Sequence, residues 1–489
     1  MSTDPRLDAY PDLTGARFGG TVIAVSDEFF GPAERMLQPD RPVSRRGTYD
    51  EHGQWMDGWE TRRRRGERRY DGAADWAVIR LGAPGVPTVV VVDTGWFSGN
   101  QMESAALDGT WLPGNPSPSE VLAAEWEELL PPQPLEPDAL HALPVPVSRT
   151  VTHVRLRAAP DGGIARLRVH GPALPDPRLA DGLTVDLAAA EWGGIVPSCS
   201  DMHFGRRANL VAPGEARSMG EGWETRRRRG PGADWVRLTL ATECTLRQVI
   251  LDTRHFKGNA PESAELSGRS SREEWVPLVP PTPLQPDQRH HLAVDSAEPV
   301  RELLLTVHPD GGVARLRTAA VPTAAGRREW AERWLDALPE AALRRELTAV
   351  CGSSRWVEDV LSRRPFLDAL PSVAEEVWNT LPDRDRLEAL LAHPRIGEKP
   401  RAGSQERREQ AGADGADTAV LAEIATGNAA YEERFGFTYV VRASGRTADE
   451  MLALLRQRLD NDPETELEVA SAQQLEILLL RVRRLLEGP

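Results

Sequence analysis

The string WETRRRR occurs twice in the chain, at residues 59–65 and 223–229. A glutamate beside guanidinium groups suits a small ligand that has both a carboxylate and urea-type NH groups, because guanidinium binds carboxylate and carboxylate accepts NH donors. On a β-strand, alternate side chains share a face, so Glu60, Arg62 and Arg64 would lie together and four arginines could not reach one ligand. The alternative is that the arginines form salt bridges between duplicated domains.

Polar residues also follow an apolar run in each copy, in VVVVDTGWFSGNQMES and QVILDTRHFKGNAPES. Binding residues often lie on loops that a rigid scaffold holds, although Asp-Thr and Gly-Asn are also common in turns. The candidates are Asp93, Asn100 and Glu103 in the first copy and Asp252, His255, Asn259 and Glu262 in the second. His255 has no counterpart in the first copy, which has Trp96 there.

Matching blocks that recur in the same order indicate a tandem duplication of a whole domain. Short β-branched segments such as VTHVRLRAA and RELLLTVHP, separated by Gly, Pro, Asn and Asp, are typical of an all-β jelly roll or β-sandwich. The segments TVVVVDT and RQVILDT are almost continuously apolar, so we expect them to be central strands that are buried on both faces.

The pattern changes at about Ala325 to apolar residues at three- and four-residue spacing, which predicts helices. Thr447 followed by Glu450 is a capping-box pattern at the start of one helix. The sequence therefore predicts two all-β jelly-roll domains and then an all-α helical domain. The expected domains are 13–172, 183–320 and 325–489, and the expected linkers are 171–182 and 319–326.

The composition restricts the classes of function. The chain has 489 residues, 40% hydrophobic and 27% charged, and a formal net charge of -15, which argues against a general binder of nucleic acid or anionic membrane. Its three cysteines are far apart and in no CxxC spacing, so a disulfide framework or zinc site is not expected. We expect a cytoplasmic protein that binds neither nucleic acid nor membrane.

The duplicated blocks resemble the allantoicase family in GWETRRRR, ADW, DTRHFKGN and the PDGG-x-ARLR string. The resemblance implies two jelly-roll, galactose-binding-like domains and hydrolysis of allantoate to (S)-ureidoglycolate and urea. Copy one departs from the family in DTGWFSGNQ, and copy two has Glu221 where the family has Asp before GWET. We therefore favour the second copy for the chemistry.

The resemblance and the residue types together give a set of candidates for this hydrolase. Glu224, Asp252 and His255 are the candidates for activating water. The candidates for binding substrate are Arg226, Arg228, Asn259 and Glu262, with Glu60, Arg62 and Asn100 in the first copy. A metal is not expected, because the chain lacks an HxxxH or clustered His/Asp spacing.

The helical region resembles the OHCU decarboxylase family, which converts 2-oxo-4-hydroxy-4-carboxy-5-ureidoimidazoline (OHCU) to (S)-allantoin and carbon dioxide. The matching motifs are CGSSRWVEDVLSRRPF, LLAHPRIGEK, EQAG and GNAAYEERFGF. His393 ends a predicted helix, where the helix dipole favours an imidazolium that can protonate carbon as a general acid. No cofactor is required, because the substrate's own C=N and C=O groups hold the developing charge.

The resemblance also places functional residues in this domain. It gives catalytic roles to His393 and Glu409, with Gln410, Asn428 and Arg481 as binding residues. The family has a serine three residues before its Glu-Gln pair, but Glu406 is there in this chain and the serine is at Ser404. That contact is a departure from the family.

Both implied activities belong to ureide breakdown in purine catabolism, although they are not consecutive. We therefore expect a bifunctional enzyme that acts on small ureides, and a homo-oligomer. The alternative from another class is a duplicated carbohydrate-type binding module joined to a decarboxylase, because a jelly-roll fold does not fix function.

Overall fold

The structure is a computed structural model that describes residues 6–45, 47–65, 74–147, 149–270, 274–393, 418–442 and 446–488. The chain divides into two compact units. The first contains Met1–Trp330 with Ala337–Pro339, and the second contains Ala331–Asp336 with Glu340–Pro489.

The first repeat forms two facing antiparallel sheets. Its strands are β1 Thr21–Val25, β2 Tyr49–Asp50, β3 Gly53–Gln54, β4 Trp59–Glu60, β5 Asp75–Gly85, β6 Val89–Asp93, β7 Ser104–Thr110, β8 Glu127–Pro134, β9 Leu140–Pro144, β10 Val151–Ala159, β11 Gly163–Ile164 and β12 Arg166–His170. The larger sheet has the order β1-β5-β10-β7-β8 and the smaller one β12-β6-β9. Two short helices, α1 Arg6–Ala9 and α2 Pro118–Leu122, accompany them.

The second repeat has the same arrangement. Its strands are β13 Ile195–Cys199, β14 Trp223–Glu224, β15 Asp234–Asp252, β16 Ser263–Arg269, β17 Val276–Pro283, β18 Arg289–Ala293, β19 Val300–His308, β20 Gly312–Val313 and β21 Arg315–Pro322. The order is β13-β15-β19-β16-β17, and β15 also pairs with β18 and β21. The two repeats confirm the predicted pair of β-sandwich domains.

One proline explains the main difference between the repeats. In the second repeat β15 runs for 19 residues and belongs to both sheets. The corresponding stretch of the first repeat contains Pro87 and is divided into β5 and β6. Proline has no NH for a strand ladder, so the strand stops there.

The apolar runs are central strands, as predicted. β6 lies between β12 and β9, and its four valines are buried. The predicted linker at 319–326 is wrong, because Ala319–Pro322 extend β21 against β15 and the next helix begins at Ala324. The other predicted linker, residues 171–182, contains a short 3-10 helix at Pro177–Ala180.

The helical pattern is confirmed in the second unit. Its helices are α3 Ala324–Ala337, which starts in the first unit, α4 Glu340–Val350, α5 Ser354–Leu361, α6 Leu370–Thr380, α7 Asp383–Leu391, α8 Thr418–Phe435, α9 Ala448–Arg458 and α10 Pro463–Glu487. The capping box at Thr447 is formed, with both of its hydrogen bonds. Within the described residues, none of the helices is both long and apolar enough to span a membrane.

A buried charged network connects α8, α9 and α10. Arg458 lies 2.6 Å from Glu466 and donates to the Tyr431 hydroxyl at 3.1 Å. Tyr431 in turn donates to Glu466, and the amide of Asn461 donates to its other oxygen at 2.7 Å. Glu466 is fully buried and Arg458 is 5% exposed, so each charge depends on the other for stabilisation.

Candidate active sites

The first residues of WETRRRR build the floor of a site in each repeat. Trp59 is fully buried, and its indole NH donates to the Asp27 carbonyl at 2.8 Å. The Thr61 hydroxyl accepts the Gly162 NH at 3.2 Å, which connects the string to the PDGG turn. Only Trp59 and Glu60 belong to a strand. The expectation that the arginines also lie on a strand is wrong.

Two of the four arginines are bound within their own repeat. Arg62 pairs with Asp27 at 2.7 Å. Arg64 pairs with Asp75 at 2.9 Å and also donates to the Pro160 carbonyl at 2.9 Å. In the second repeat, Arg226 pairs with Asp201 and Arg228 with Asp234. These ion pairs lie within a domain and do not join the two domains.

The other two arginines of each string are exposed. Arg63, Arg65, Arg227 and Arg229 make no hydrogen bond or ion pair among the residues that the structure describes. Arg63 is close enough to Glu60 for its charge to lower the pKa of that carboxyl. The sequence argument placed Arg62 beside Glu60, but Arg62 is turned to Asp27.

A carboxylate and a carboxamide meet in each repeat. Asn100 Nδ2 donates to Glu60 Oε1 at 3.0 Å, and Asn259 Nδ2 donates to Glu224 Oε1 at 2.6 Å. All four residues are half-buried. The second carboxylate oxygen and the amide oxygen of each pair have no hydrogen-bond partner among the described residues, so they can accept NH groups of a ligand. Burial raises the pKa of Glu60 although Asn100 and Arg63 oppose the shift.

The PDGG turn packs directly against the backbone of the asparagine in this pair. Gly162 has φ +127°, and a Cβ there would lie 2.5 Å from the Asn100 carbonyl. A Cβ on Gly163 would lie 2.0 Å from the Phe97 ring. In the second repeat Gly311 and Gly312 are equally close to the Asn259 backbone and to Phe256. Glycine is therefore required at both positions, since no side chain fits beneath the asparagine.

Asp252 is held by two arginines. Arg254 and Arg289 both donate to its carboxylate, and both also bind Glu215. Asp252 is 3% exposed. Burial acts to raise its pKa, but the hydrogen bonds from Arg254 and its neighbours outweigh burial and lower it. A carboxylate so paired is a weak base for water.

His255 fixes a loop by a contact that Trp96 repeats in the first copy. His255 Nε2 contacts the Ala216 carbonyl at 2.8 Å, and Trp96 Nε1 donates to the Pro42 carbonyl at 3.0 Å. Both residues have positive φ, +72° and +69°, and both backbone NH groups donate to an aspartate. His255 and Trp96 therefore make equivalent contacts in the two repeats.

Glu262, another candidate of the first unit, lies at its surface. The side chain of Glu262 is exposed, while its backbone NH pairs with the His308 carbonyl at 2.8 Å. Among the residues that the structure describes, no group of three or more His, Cys, Asp and Glu side chains is placed to hold a metal ion.

In the helical unit, the CGSS stretch lies between α10 and the end of α7. Arg481 on α10 is 5% exposed and donates to the Val350 carbonyl at 3.3 Å. Two residues on, a Cβ at Gly352 would be 2.3 Å from Ala392 Cβ. Ala392 directly precedes His393, which is half-buried. Residues 350–352 thus contact Arg481 through Val350 and the residue before His393 through Gly352.

Asn428 is buried at 2% exposure on α8, one residue after Gly427, which packs on α9. His393 follows the end of α7 as the sequence predicts. Glu409 and Gln410 lie outside the described residues, as do Ser404 and Glu406. The structure therefore describes three of the five candidates in this unit.

The sequence analysis missed the acids that hold the arginines. Asp27 and Asp201 belong to the repeated SD block, and Asp75 and Asp234 to the repeated ADW block. Ser26 and Ser200 reinforce the second pair of acids at 3.0 Å in each repeat. The signal that could have found these acids was the repetition of the two blocks in both copies.

Comparison with known proteins agrees with this architecture. A family model described as allantoicase repeat matches residues 11–174 and 185–323, and one described as OHCU decarboxylase matches residues 336–483. A probable allantoicase of Nocardia farcinica is 47% identical over 309 residues, 63% of this chain and 93% of that protein. A probable allantoicase of Pseudomonas aeruginosa is 45% identical, over 64% of this chain and 96% of that protein.

A solved structure extends the comparison to the fold. The crystal structure of allantoicase from Saccharomyces cerevisiae is 32% identical with a TM-score of 0.55, and the match covers 63% of this chain and 92% of that one. The matched region contains both sandwiches and the two Glu–Asn pairs. The chain therefore belongs to the allantoicase family and continues into an OHCU decarboxylase domain.

Proposed function

We propose that this chain is a bifunctional enzyme of ureide breakdown. Its first unit hydrolyses allantoate to (S)-ureidoglycolate and urea, and its helical unit decarboxylates OHCU to (S)-allantoin. The family matches support the two activities. The observation that carries the hydrolase is the Glu224–Asn259 pair, whose second carboxylate oxygen and amide oxygen have no hydrogen-bond partner among the described residues and can accept NH groups.

The groups of the pair match the groups of allantoate. The substrate has one carboxylate and two ureido arms on a single carbon atom. The guanidinium of Arg227, exposed and three residues after Glu224, suits the carboxylate. The oxygens of Glu224 and Asn259 that have no partner among the described residues suit the NH groups of one ureido arm. Arg226 and Arg228 are engaged by aspartates and hold the string in place.

Glu224 is our candidate for proton transfer. It takes a proton from water while the water oxygen forms a bond to the central carbon, and the bond from that carbon to one ureido nitrogen breaks. The same proton then passes to the departing nitrogen, so that urea leaves and a hydroxyl remains on ureidoglycolate. Asn259 holds the carboxylate in position through its NH. Asp252 and His255 fix the surrounding loops.

The helical unit uses a different chemistry. We assign His393 as the general acid that protonates the ring carbon from which carbon dioxide departs. The electron pair of the broken C–C bond is held by the substrate's C=N and C=O groups until that proton arrives. Arg481 and Asn428 bind the substrate, with Glu409 and Gln410 as further candidates. No cofactor takes part in this sequence of steps.

The hydrolase assignment is tested with the full chain after metal removal. Urea and ureidoglycolate are measured from allantoate for the wild type and for the double variant Glu60→Gln/Glu224→Gln. We expect stoichiometric products from the wild type and a loss of at least about a hundredfold in the double variant, because no carboxylate remains to move the proton. A double variant at the wild-type rate would show that the chemistry lies elsewhere.

A further inference from the structure

We infer that the first repeat carries a second hydrolytic site, built from Glu60, Asn100 and Arg63, so that each chain has two sites for allantoate. The inference rests on the proposed function of the first unit. It departs from the sequence-based preference for the second copy. Two active repeats would hold their carboxylates by equivalent contacts.

The principal polar contacts around the two carboxylates correspond, although Asn259 Nδ2 also contacts Met219 Sδ at 3.6 Å. Glu60–Asn100 corresponds to Glu224–Asn259, Arg62–Asp27 to Arg226–Asp201, and Arg64–Asp75 to Arg228–Asp234. Arg63 is exposed and without an ion pair among the described residues, as Arg227 is. A repeat that retained only its fold would need the tryptophan, the threonine and the two paired arginines. It would not need Glu60 to face Asn100 with two acceptor oxygens that have no partner among the described residues.

The sequence departures of the first copy lie away from this pair. Trp96 replaces His255, but both tether a loop to a backbone carbonyl. Met102 replaces Pro261, and both are buried. Gly95 replaces Arg254, which affects only the ion pairs around Asp252.

The acid before GWET also differs without reaching the pair. Asp57 binds Arg166 at 2.8 Å in the first repeat. Its counterpart Glu221 binds Arg17 and Arg217 in the second. Each acid is held by arginine, so neither departure removes a group from the proposed sites.

The two sites have different rims. The first repeat has the extra hairpin β2–β3, whose His52 packs on Phe29 with ring centroids 4.6 Å apart. The Arg62 guanidinium lies 5.4 Å from the same ring. The second repeat has His203 against Phe204, which is 63% exposed. We therefore expect the two sites to share their chemistry and to differ in KM.

The test is to remove the carboxylates one at a time in the full chain. Urea release from allantoate is measured for Glu60→Gln, Glu224→Gln and the double variant. Two independent sites predict that each single variant keeps a large part of kcat, about half if the sites are equal, while the double variant loses activity. A single variant that falls to the level of the double variant overturns the inference.

Urea release by these variants distinguishes a failure of the inference from a failure of the proposed function. A double variant that retains the wild-type rate removes the site assignment itself, whereas one inactive single variant removes only the second site. If either glutamine variant unfolds at a lower temperature, Arg63→Gln and Arg227→Gln replace the pair, because both side chains are exposed. Each is expected to raise the KM of the component that its own repeat supplies. Arg65→Gln and Arg229→Gln are the matched controls and should leave both components unchanged.

Discussion

At the scale of single residues, some side chains of WETRRRR hold the fold together, while Arg63 and Arg65 are exposed and make no ion pair among the described residues. The tryptophan fills the core, the threonine holds the PDGG turn, and Arg62 and Arg64 pair with acids. Alternate arginines differ in their contacts, as the sequence predicts, but the arginines proposed there to bind substrate are the ones that pair with aspartates. The acid that takes Arg62 is 35 positions away in the chain. Residue spacing cannot show which acid folds back to meet which arginine.

The different contacts of Arg63 and Arg64 predict that only one of the two substitutions lowers stability. Arg64→Ala leaves Asp75, which is 5% exposed, without its cation. We expect the free energy of unfolding of the first unit to fall by about 2 kcal/mol. Arg63→Ala should leave it unchanged within about 0.5 kcal/mol, because that side chain is exposed. Denaturant unfolding measures both, and equal losses would contradict this prediction.

The surroundings of Glu60 predict how the activity of the first site depends on pH. Glu60 must be ionised to accept a proton, and burial raises its pKa. In the Glu224→Gln protein, where only the first site remains, activity should fall on the acid side with a midpoint above the ordinary glutamate value of about 4.3. Adding Arg63→Gln removes a charge that lowers this pKa, so the midpoint should move further up. A pH–rate profile that stays in place would refute the role of Glu60.

At the scale of elements, predictions that depend on neighbouring residues are confirmed, whereas one that depends on a distant strand is wrong. The capping box at Thr447 and the central valine strand needed only neighbouring residues, and both are present. The predicted linker at 319–326 failed because Ala319–Pro322 is alanine-rich, with little strand propensity of its own. That segment is a strand because β15 offers it a partner edge. The break at Pro87 could have been read from the sequence, since proline interrupts a ladder.

The buried network in the helical unit gives a prediction for its elements. Glu466→Ala leaves the Arg458 charge buried and unpaired, and should lower the free energy of unfolding by about 3–5 kcal/mol. Replacing both residues by methionine should recover much of that loss, since no charge then remains. The exposed pair Arg456–Glu423 is the control, and breaking it should cost less than about 1 kcal/mol. Loss of helicity in denaturant measures all three.

At the scale of the whole molecule, the chain joins two enzymes with separate cores. The motifs of the duplicated region resemble one family and those of the helical region resemble the other. The family matches cover the same two regions. The decarboxylase site was less accessible to sequence reasoning. His393 and Arg481 are 88 positions apart, and it is the CGSS stretch, far from both in sequence, that relates them.

Separate cores predict separate activities. We expect His393→Ala to abolish enzymatic decarboxylation while urea release from allantoate stays at the wild-type rate. Protonation without the enzyme has no preferred face, so any allantoin formed should be racemic, which circular dichroism detects. Loss of urea release in the same variant would mean that the two units depend on one another.

The exposure of Arg63 and Arg227 has a consequence for redesign. Neither guanidinium makes an ion pair within the described residues, so either position can be exchanged without weakening the sandwich that presents it. Their neighbours Arg62 and Arg64 do not offer this freedom. A residue selected at position 63 to recognise a neutral or cationic arm, with Arg227 left in place, would give one polypeptide two substrate preferences on the same scaffold.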